Sequence, residues 1–386
     1  MAQTRWMPFV ACCVAGLSAI STAAAQRAPA LTRWSLSAQP VTVVKDDGTP
    51  TTQFGRIAGA ARLSDGGIAI ADMSAREIRR FDASGRSMGL IARAGSGPGE
   101  VESVSQLSAN GDTIAALAMR SAMLFTRDGR FIRRAGTTST GLSAKGKASP
   151  SARLSDGRFL GRRSGFMAIN PPSHLLVDSA TVVAFDLDGQ NQVVVGEWAV
   201  ESMYAHFTQK GKFPTLIGRV PLRGAVLSAA SGDVAWAANS ATDSLVRVDR
   251  KSGRRVLRLS ALGLPPVAVS AAEFQAARAR AIADAPDEGK KELAQVLYDL
   301  PRPKTAPGVS KLVPGVGGEL WLQRFTLDDT SLVVFVVVDA QGRPVAEVTL
   351  PARSDVYEVG RDYVVLGVKD ADDVQTVALY GLKRTR

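Results

Sequence analysis

Hydrophobic and polar positions along this chain recur in a fixed order. A small-polar turn, Leu63-Ser64-Asp65-Gly66, opens a short apolar run, and it returns as Ser108-Ala109-Asn110-Gly111, Leu154-Ser155-Asp156-Gly157 and Ala230-Ser231-Gly232-Asp233. Weaker copies are Val316-Gly317-Gly318-Glu319 and Val359-Gly360-Arg361-Asp362. The runs that follow, such as Ile68-Ala69-Ile70-Ala71, Val234-Ala235-Trp236-Ala237 and Leu320-Trp321-Leu322, have the length and turn-bounded character of buried strands. A second turn then recurs, an apolar residue, a polar one and a Gly: Phe81-Asp82-Ala83-Ser84-Gly85, Phe125-Thr126-Arg127-Asp128-Gly129, Phe185-Asp186-Leu187-Asp188-Gly189 and Val338-Asp339-Ala340-Gln341-Gly342. Asp or Ser followed by Gly supplies the positive φ of a tight hairpin.

Gly66, Gly111 and Gly157 stand 45 and 46 residues apart, and Gly317 and Gly360 stand 43 apart. That period is the length of a four-stranded propeller blade. Six such turns predict an all-β chain folded as a six-bladed β-propeller. The wider intervals, Gly157 to Gly232 and Gly232 to Gly317, call for insertions. One is visible at about 268–303, between blades four and five: Ser270 and Glu273 form a capping box, Pro286 interrupts, and Leu293, Val296, Leu297 and Leu300 share a helical face before Pro301 and Pro303. This predicts a helical hairpin laid over one face. A β-sandwich also accommodates short strands, but it has no reason to repeat two turns in one order.

Between Ala61 and Glu100, a strand ending in Asp72, the turn Phe81-Asp82-Ala83-Ser84-Gly85 and the loop Gly95-Ser96-Gly97-Pro98-Gly99-Glu100 follow one another. In this order they resemble a bacterial six-bladed β-propeller family related to NHL-repeat proteins. The likeness is strong over one blade; later blades keep only the turns, and the helical stretch followed by a strand bearing Trp321 is also similar to the family. The resemblance implies a fold and an extracytoplasmic setting. It implies no reaction, because propellers host many activities.

Residues 1–25 read as a cleavable signal peptide: Arg5, an apolar stretch from Met7 to Ile20, then small residues through Ala25 with an Ala-x-Ala site. The stretch is shorter than the roughly 20 residues of a membrane-spanning helix. No later segment runs free of charge for that length, so no transmembrane segment is expected after cleavage. The processed chain, 26–386, is expected in the periplasm or outside the cell, as a monomer. Cys12 and Cys13 come too early for a lipidated cysteine, and they are the chain's 2 cysteines. Without them the processed protein has no disulfide, thiolate metal site or catalytic cysteine. The net charge of +11 becomes +10 once Arg5 is removed. Basic pairs at Arg79-Arg80, Arg133-Arg134, Arg162-Arg163 and Arg254-Arg255 are dispersed, and aromatics are scattered, which disfavours nucleic acid as a partner.

Few motifs suggest chemistry. Gly85-Arg86-Ser87-Met88-Gly89 has the letters of a nucleophile elbow, but Ser87 starts inside a hairpin turn rather than between a strand and a helix. Gly95, Gly97 and Gly99 lack the following helix that a dinucleotide site requires, and are read as a tight crossing held by Glu100. Asp186-Leu187-Asp188-Gly189 lacks the remaining calcium ligands and is read as a turn. The 2 histidines, His174 and His206, are read as loop residues and are too few for a three-histidine zinc site. No catalytic residue, metal ligand or cofactor is assigned.

One site expectation comes from aligning the runs after the first turns, taken as the innermost strands. Their ends carry Asp72, Arg163 and Arg324, with Arg120, Arg162, Asn239, Gln323 and Lys369 nearby. Together they predict a basic channel mouth with one carboxylate, suited to an anionic ligand or an acidic loop. The competing expectation pairs these arginines with neighbouring carboxylates on the rim. The sequence thus points to an exported propeller that binds or scaffolds an unidentified protein, glycan or anionic small ligand. The alternative is a metal-assisted lactone or ester hydrolase, or a lyase, at the channel mouth; the enzyme question stays open, with the missing cluster of paired acids weighing against it.

Overall fold

The computed structural model describes residues 31–385 apart from 119–120, 137–147, 171–174, 187, 207–215, 250–251 and 328–330. The described chain is mostly β. It starts with β1 (Thr32–Leu36) and β2 (Thr42–Val44). Antiparallel runs in chain order follow. The first is β3 (Ile57–Arg62), β4 (Ile68–Asp72), β5 (Glu77–Phe81) and β6 (Ser87–Ala94), edged by the short β7 (Glu100–Val101). The second is β8 (Gln106–Asn110), β9 (Thr113–Leu117), β10 (Ser121–Thr126) and β11 (Phe131–Gly136). Next come β12 (Ser149–Arg153), β13 (Phe159–Asn170), β14 (Leu175–Phe185), β15 (Val193–His206) and β16 (Leu216–Arg219), then β17 (Val226–Ser231), β18 (Val234–Asn239), β19 (Ser244–Asp249) and β20 (Gly253–Leu257).

The short pair β21 (Val267–Ala268) and β22 (Thr305–Ala306) brackets helices α1 (Ala271–Ala283) and α2 (Lys290–Asp299). The chain resumes as β23 (Val309–Pro314), β24 (Leu320–Arg324), β25 (Val333–Val338) and β26 (Pro344–Leu350), and ends with β27 (Ser354–Val359), β28 (Tyr363–Lys369) and β29 (Gln375–Lys383). The last three strands acquire their fourth from the other end of the chain, because β2 pairs antiparallel with β29. Next to it, β1 joins β26 in parallel and β29 in antiparallel register.

The first turns take two main forms: Leu63, Leu154 and Gly315 each bond to the residue four on, whereas Asn110–Thr113 and Ser231–Val234 are two-residue hairpins. Leu63 N–H donates to Gly67 O at 2.8 Å while Asp65 accepts from Gly67 N–H at 3.0 Å, with Gly66 at φ +87°. Asp82 and Asp339 each accept from the backbone of the Arg four residues on, at 3.0 and 2.9 Å, with Gly85 and Gly342 at φ +86° and +81°. Such φ values are open to Gly and costly to most other residues. The aromatic before the turn, Phe81, Phe125 or Phe185, is buried between neighbouring sheets.

The first strands of the runs, β3, β8, β12, β17, β23 and β27, lie inside. β3 packs on β8, β12 on β17, β17 on β23, β23 on β27 and β27 on β3, while the second run meets the third through β9 and β10 against β12, so the series closes on itself. The second strands lie one step outward and are the most apolar: β4 and β18 are buried at every residue. Strands covered on both faces read as continuous apolar runs. The sequence reading took these second strands for the innermost ones, and the structure moves that role to the strand before each first turn.

The interval between Gly157 and Gly232 is filled by strands that overrun their run. Arg162 pairs with Ser149, the first residue of β12, yet β13 continues to Asn170, about 26 Å further at ~3.3 Å per residue. The buried face of α2 (Leu293, Val296, Leu297), followed by Leu300, packs there against Leu175 of β14 and Tyr204 of β15. The expected capping box at α1 is complete: Ser270 Oγ accepts from Glu273 N–H at 3.2 Å, and Glu273 accepts from Ser270 N–H at 2.7 Å.

Candidate functional site

The innermost strands enclose two cavities that share Gln106, Leu107, Pro314 and Tyr357 in their walls. One, of about 280 Å³, lies toward the strand starts; the other, of about 330 Å³, reaches the first turns. Register shifts break β3, β12, β23 and β27 near their second or third residue. A bulge there bends the strand and re-aims a side chain. In β27 the residue passed over is Tyr357, whose ring lies on Gly367; a Cβ at position 367 would stand 2.6 Å from that ring.

Around Tyr357 the first cavity is polar but internally balanced. Lys311 Nζ forms an ion pair with Asp355, donates to Val356 O at 2.9 Å and stands 6.0 Å from the Tyr357 ring centroid. Burial, with Asp355 adding to it, lifts the Tyr357 hydroxyl above its ordinary pKa, so it stays a neutral donor at physiological pH. Ser151 and Ser228 hydroxyls meet at 3.0 Å between β12 and β17. Sequence reasoning missed Gln106, Lys311, Asp355 and Tyr357 because it looked one strand outward. The signal was their place just upstream of the recurring turns.

Of the residues expected at the mouth, Asp72, Asn239, Gln323 and Arg324 lie at the strand-start end, one strand out. Asp72 pairs with Ile57, Asn239 with Val226, Gln323 with Lys311 and Arg324 with Val309. Lys369 lies exposed at the end of β28. Asp72 is not a mouth carboxylate. It is 1% exposed and accepts backbone N–H groups of Gly55, Arg56, Ser74 and Ala75, with Arg79 at 4.0 Å. Asn239, 3% exposed, accepts from Ala241 N–H at 3.0 Å and does the same job three runs later. Such side chains close turns by taking up backbone donors. Arg324 reaches outward to Glu347 at 3.2 Å. Arg162 and Arg163 are half-buried, and burial together with the nearby Arg219 pushes the Arg162 guanidinium below its ordinary pKa. Arg120 lies outside the described residues.

The other motifs resolve into structure. Ser87 begins strand β6. Glu100 holds the glycine-rich crossing: it accepts from Gly97 N–H at 3.0 Å and pairs with Arg93 at 3.0 Å, so its carboxyl lies below the usual carboxylate range. A Cβ on Gly95 would stand 2.1 Å from Glu100 Oε2. Asp186 and Gly189 close a hairpin, Gly189 N–H to Asp186 O at 2.8 Å. His206 is the last residue of β15 rather than a loop residue; turn signals lie too far from these long strands to mark them. His174 and the signal segment lie outside the described residues. Among the described residues no group of three His, Cys, Asp or Glu side chains comes together, and no helix is long and apolar enough to cross a membrane.

No family model and no curated protein matches this chain. Among solved structures it is similar to a member of the DUF4221 family from Bacteroides vulgatus, at 9% identity and a TM-score of 0.48, covering 92% of this chain and 100% of that one. It is also similar to a streptogramin B lyase, at 12% identity and a TM-score of 0.40, covering 91% and 88%. A calcium-binding protein, regucalcin, from Agrobacterium tumefaciens matches at 12% identity and a TM-score of 0.38, covering 92% and 97%. Likenesses of this strength transfer no activity.

Proposed function

We propose that this chain is an exported six-bladed β-propeller that binds an anionic ligand or an acidic segment of another protein at the strand-start face of its channel. Supporting the blade count are the antiparallel runs that close from β27 onto β3, with β2 completing the last. Supporting export is the segment Met7–Ile20 followed by Ala23-Ala24-Ala25. Supporting an insertion between blades four and five are the helices between β21 and β22, which pack with the overrunning β14 and β15.

The observation that carries the binding reading is the juxtaposition of Arg162 with Arg219. An Arg keeps its charge in proteins, so the half-buried Arg162 with the exposed Arg219 close enough to lower its pKa favours an anion beside them. Arg163 and the exposed Lys369 add to the same sign. The test is capture of a short poly-glutamate peptide by the mature protein. Double reversal, Arg163→Glu with Arg219→Glu, weakens capture at least tenfold; unchanged capture refutes the placement. Turnover of a lactone or ester that chelation abolishes would replace binding by the hydrolase or lyase reading.

A further inference from the structure

The cavity at the opposite, turn-side end of the channel differs in its unused hydrogen-bonding capacity. Arg153, at the end of β12, lines it, and its Nε is buried without a hydrogen-bond partner. The guanidinium makes no ion pair among the described residues. All five residues of β8 reach the same cavity; Leu107 is buried and Ala109 packs against the core, which leaves Gln106, Ser108 and Asn110 as its polar groups there. Strand periodicity puts those three in one row. Their side chains make no hydrogen bond to another described residue.

The carboxylate in this cavity is already engaged elsewhere. Glu358 accepts from Arg62 N–H at 2.6 Å and from Tyr363 Oη at 2.6 Å, so both of its oxygens face the junction of β27 with β3 and β28. Ser231 is likewise satisfied, donating to Gly315 O at 2.6 Å and accepting from Gly318 N–H at 3.1 Å. What remains is a fixed cation beside two amide groups and a hydroxyl. Guanidinium and amide N–H groups match oxyanions, and a buried donor lacking an acceptor is a cost to the fold that an arriving acceptor removes.

We propose that the turn-side end of the channel is a second, separate binding site, for a small molecule bearing a phosphate, sulfate or carboxylate group, with Arg153 as its cation and Gln106, Ser108 and Asn110 as neutral partners. At about 330 Å³ the cavity lies at the small end of the ligand-pocket range of roughly 300–1,000 Å³, so the ligand is small. This site draws on none of the charged residues of the strand-start face, although the two cavities share Gln106, Leu107, Pro314 and Tyr357 in their walls.

Isothermal titration of the mature protein with inorganic phosphate, with sulfate and succinate as parallel probes and chloride holding the ionic strength constant, tests the site. The expected result is saturable one-to-one binding of at least one probe, and the preferred probe tells which oxyanion the site takes. Arg153→Gln weakens it at least tenfold, while the exposed Arg254→Gln leaves it unchanged. Because the Arg153 side chain bonds to nothing in the fold and its Nε is an unmet buried donor, Arg153→Gln keeps or slightly raises the urea midpoint. Should it fail to fold, Asn110→Ala decides: a several-fold weaker affinity supports the site, and an unchanged one overturns it. No saturable binding by any probe, or equal loss in Arg153→Gln and Arg254→Gln, also overturns it. Arg153→Gln leaves poly-glutamate capture intact, and Arg163→Glu with Arg219→Glu leaves probe binding intact, so the two sites fail separately.

Discussion

Asp72 offers the sharpest separation of a structural role from a ligand role. Its Oδ1 accepts from Ser74, Ala75 and Arg56 N–H at 2.9, 3.2 and 3.3 Å, and its Oδ2 from Gly55 N–H at 3.0 Å. Arg79 lies against the same carboxylate and is itself tied to Glu77 and Gln53 O. Hydrogen bonds to a charged group contribute about 1.5–3 kcal/mol each, though bonds sharing one acceptor do not add. Removing one partner of a buried charge pair costs about 3–5 kcal/mol. Asp72→Ala is therefore expected to lose about 3–5 kcal/mol, since its donors lie behind a residue that is only 1% exposed. Asn239→Ala, which strips a single backbone donor from the equivalent turn, is expected to lose about 1 kcal/mol. In urea, with a slope of about 3 kcal/mol/M, the first variant unfolds at a midpoint about 1–1.7 M lower and the second at one about 0.3 M lower. An Asp72→Ala variant as stable as Asn239→Ala refutes the reasoning. One with full stability and lost ligand capture returns Asp72 to the mouth.

Two further outcomes follow. Gly95→Ala puts a methyl group onto Glu100 Oε2 at a φ of +155°, so about 1–3 kcal/mol of stability is lost and the Glu100 carboxyl, followed by NMR titration, rises toward its ordinary pKa. Burial lifts Glu358 above the usual carboxylate range, against the lowering bonds from Tyr363 and Arg62, so the folded protein keeps that proton to higher pH than the unfolded chain. Its contribution to stability then declines as pH rises above about 4.5. Glu358→Gln, with a constant offset for its single acceptor oxygen, gains on the wild type from pH 4 to 7 in urea midpoints; parallel curves would count against the burial.

The turns were legible because their chemistry is local. Asp82 and Gly85, or Asp339 and Gly342, specify a hairpin whatever surrounds it, and Ser270 with Glu273 specifies a helix start in the same way. What the pattern did not reveal was which strand faces the channel. Apolar content marks strands covered on both sides, and those are Ile68–Asp72 and Val234–Asn239. The channel strands mix Gln106, Ser108 and Asn110 with Leu107, and bulges at Ala58, Ser151, Ser310 and Tyr357 interrupt their alternation. Asp72 looked like a functional acid because a carboxylate closing a turn and one awaiting a ligand have the same letter; only its four backbone donors tell them apart. The overrun of β13–β15 was hidden for a related reason, since its support comes from α2, far along the chain.

The pairing of Thr42–Val44 with Val377–Leu379 sets an order of events during biogenesis. Synthesis runs from the N-terminus, yet the partner of this early segment is made last. Joining segments a few hundred residues apart carries an entropic penalty of about 5 kcal/mol, (3/2)RT ln n, before any contact offsets it. Until that clasp shuts, β29 presents a bare edge and Val44 lacks its cover, which is when a nascent molecule is most exposed to strand exchange with another copy.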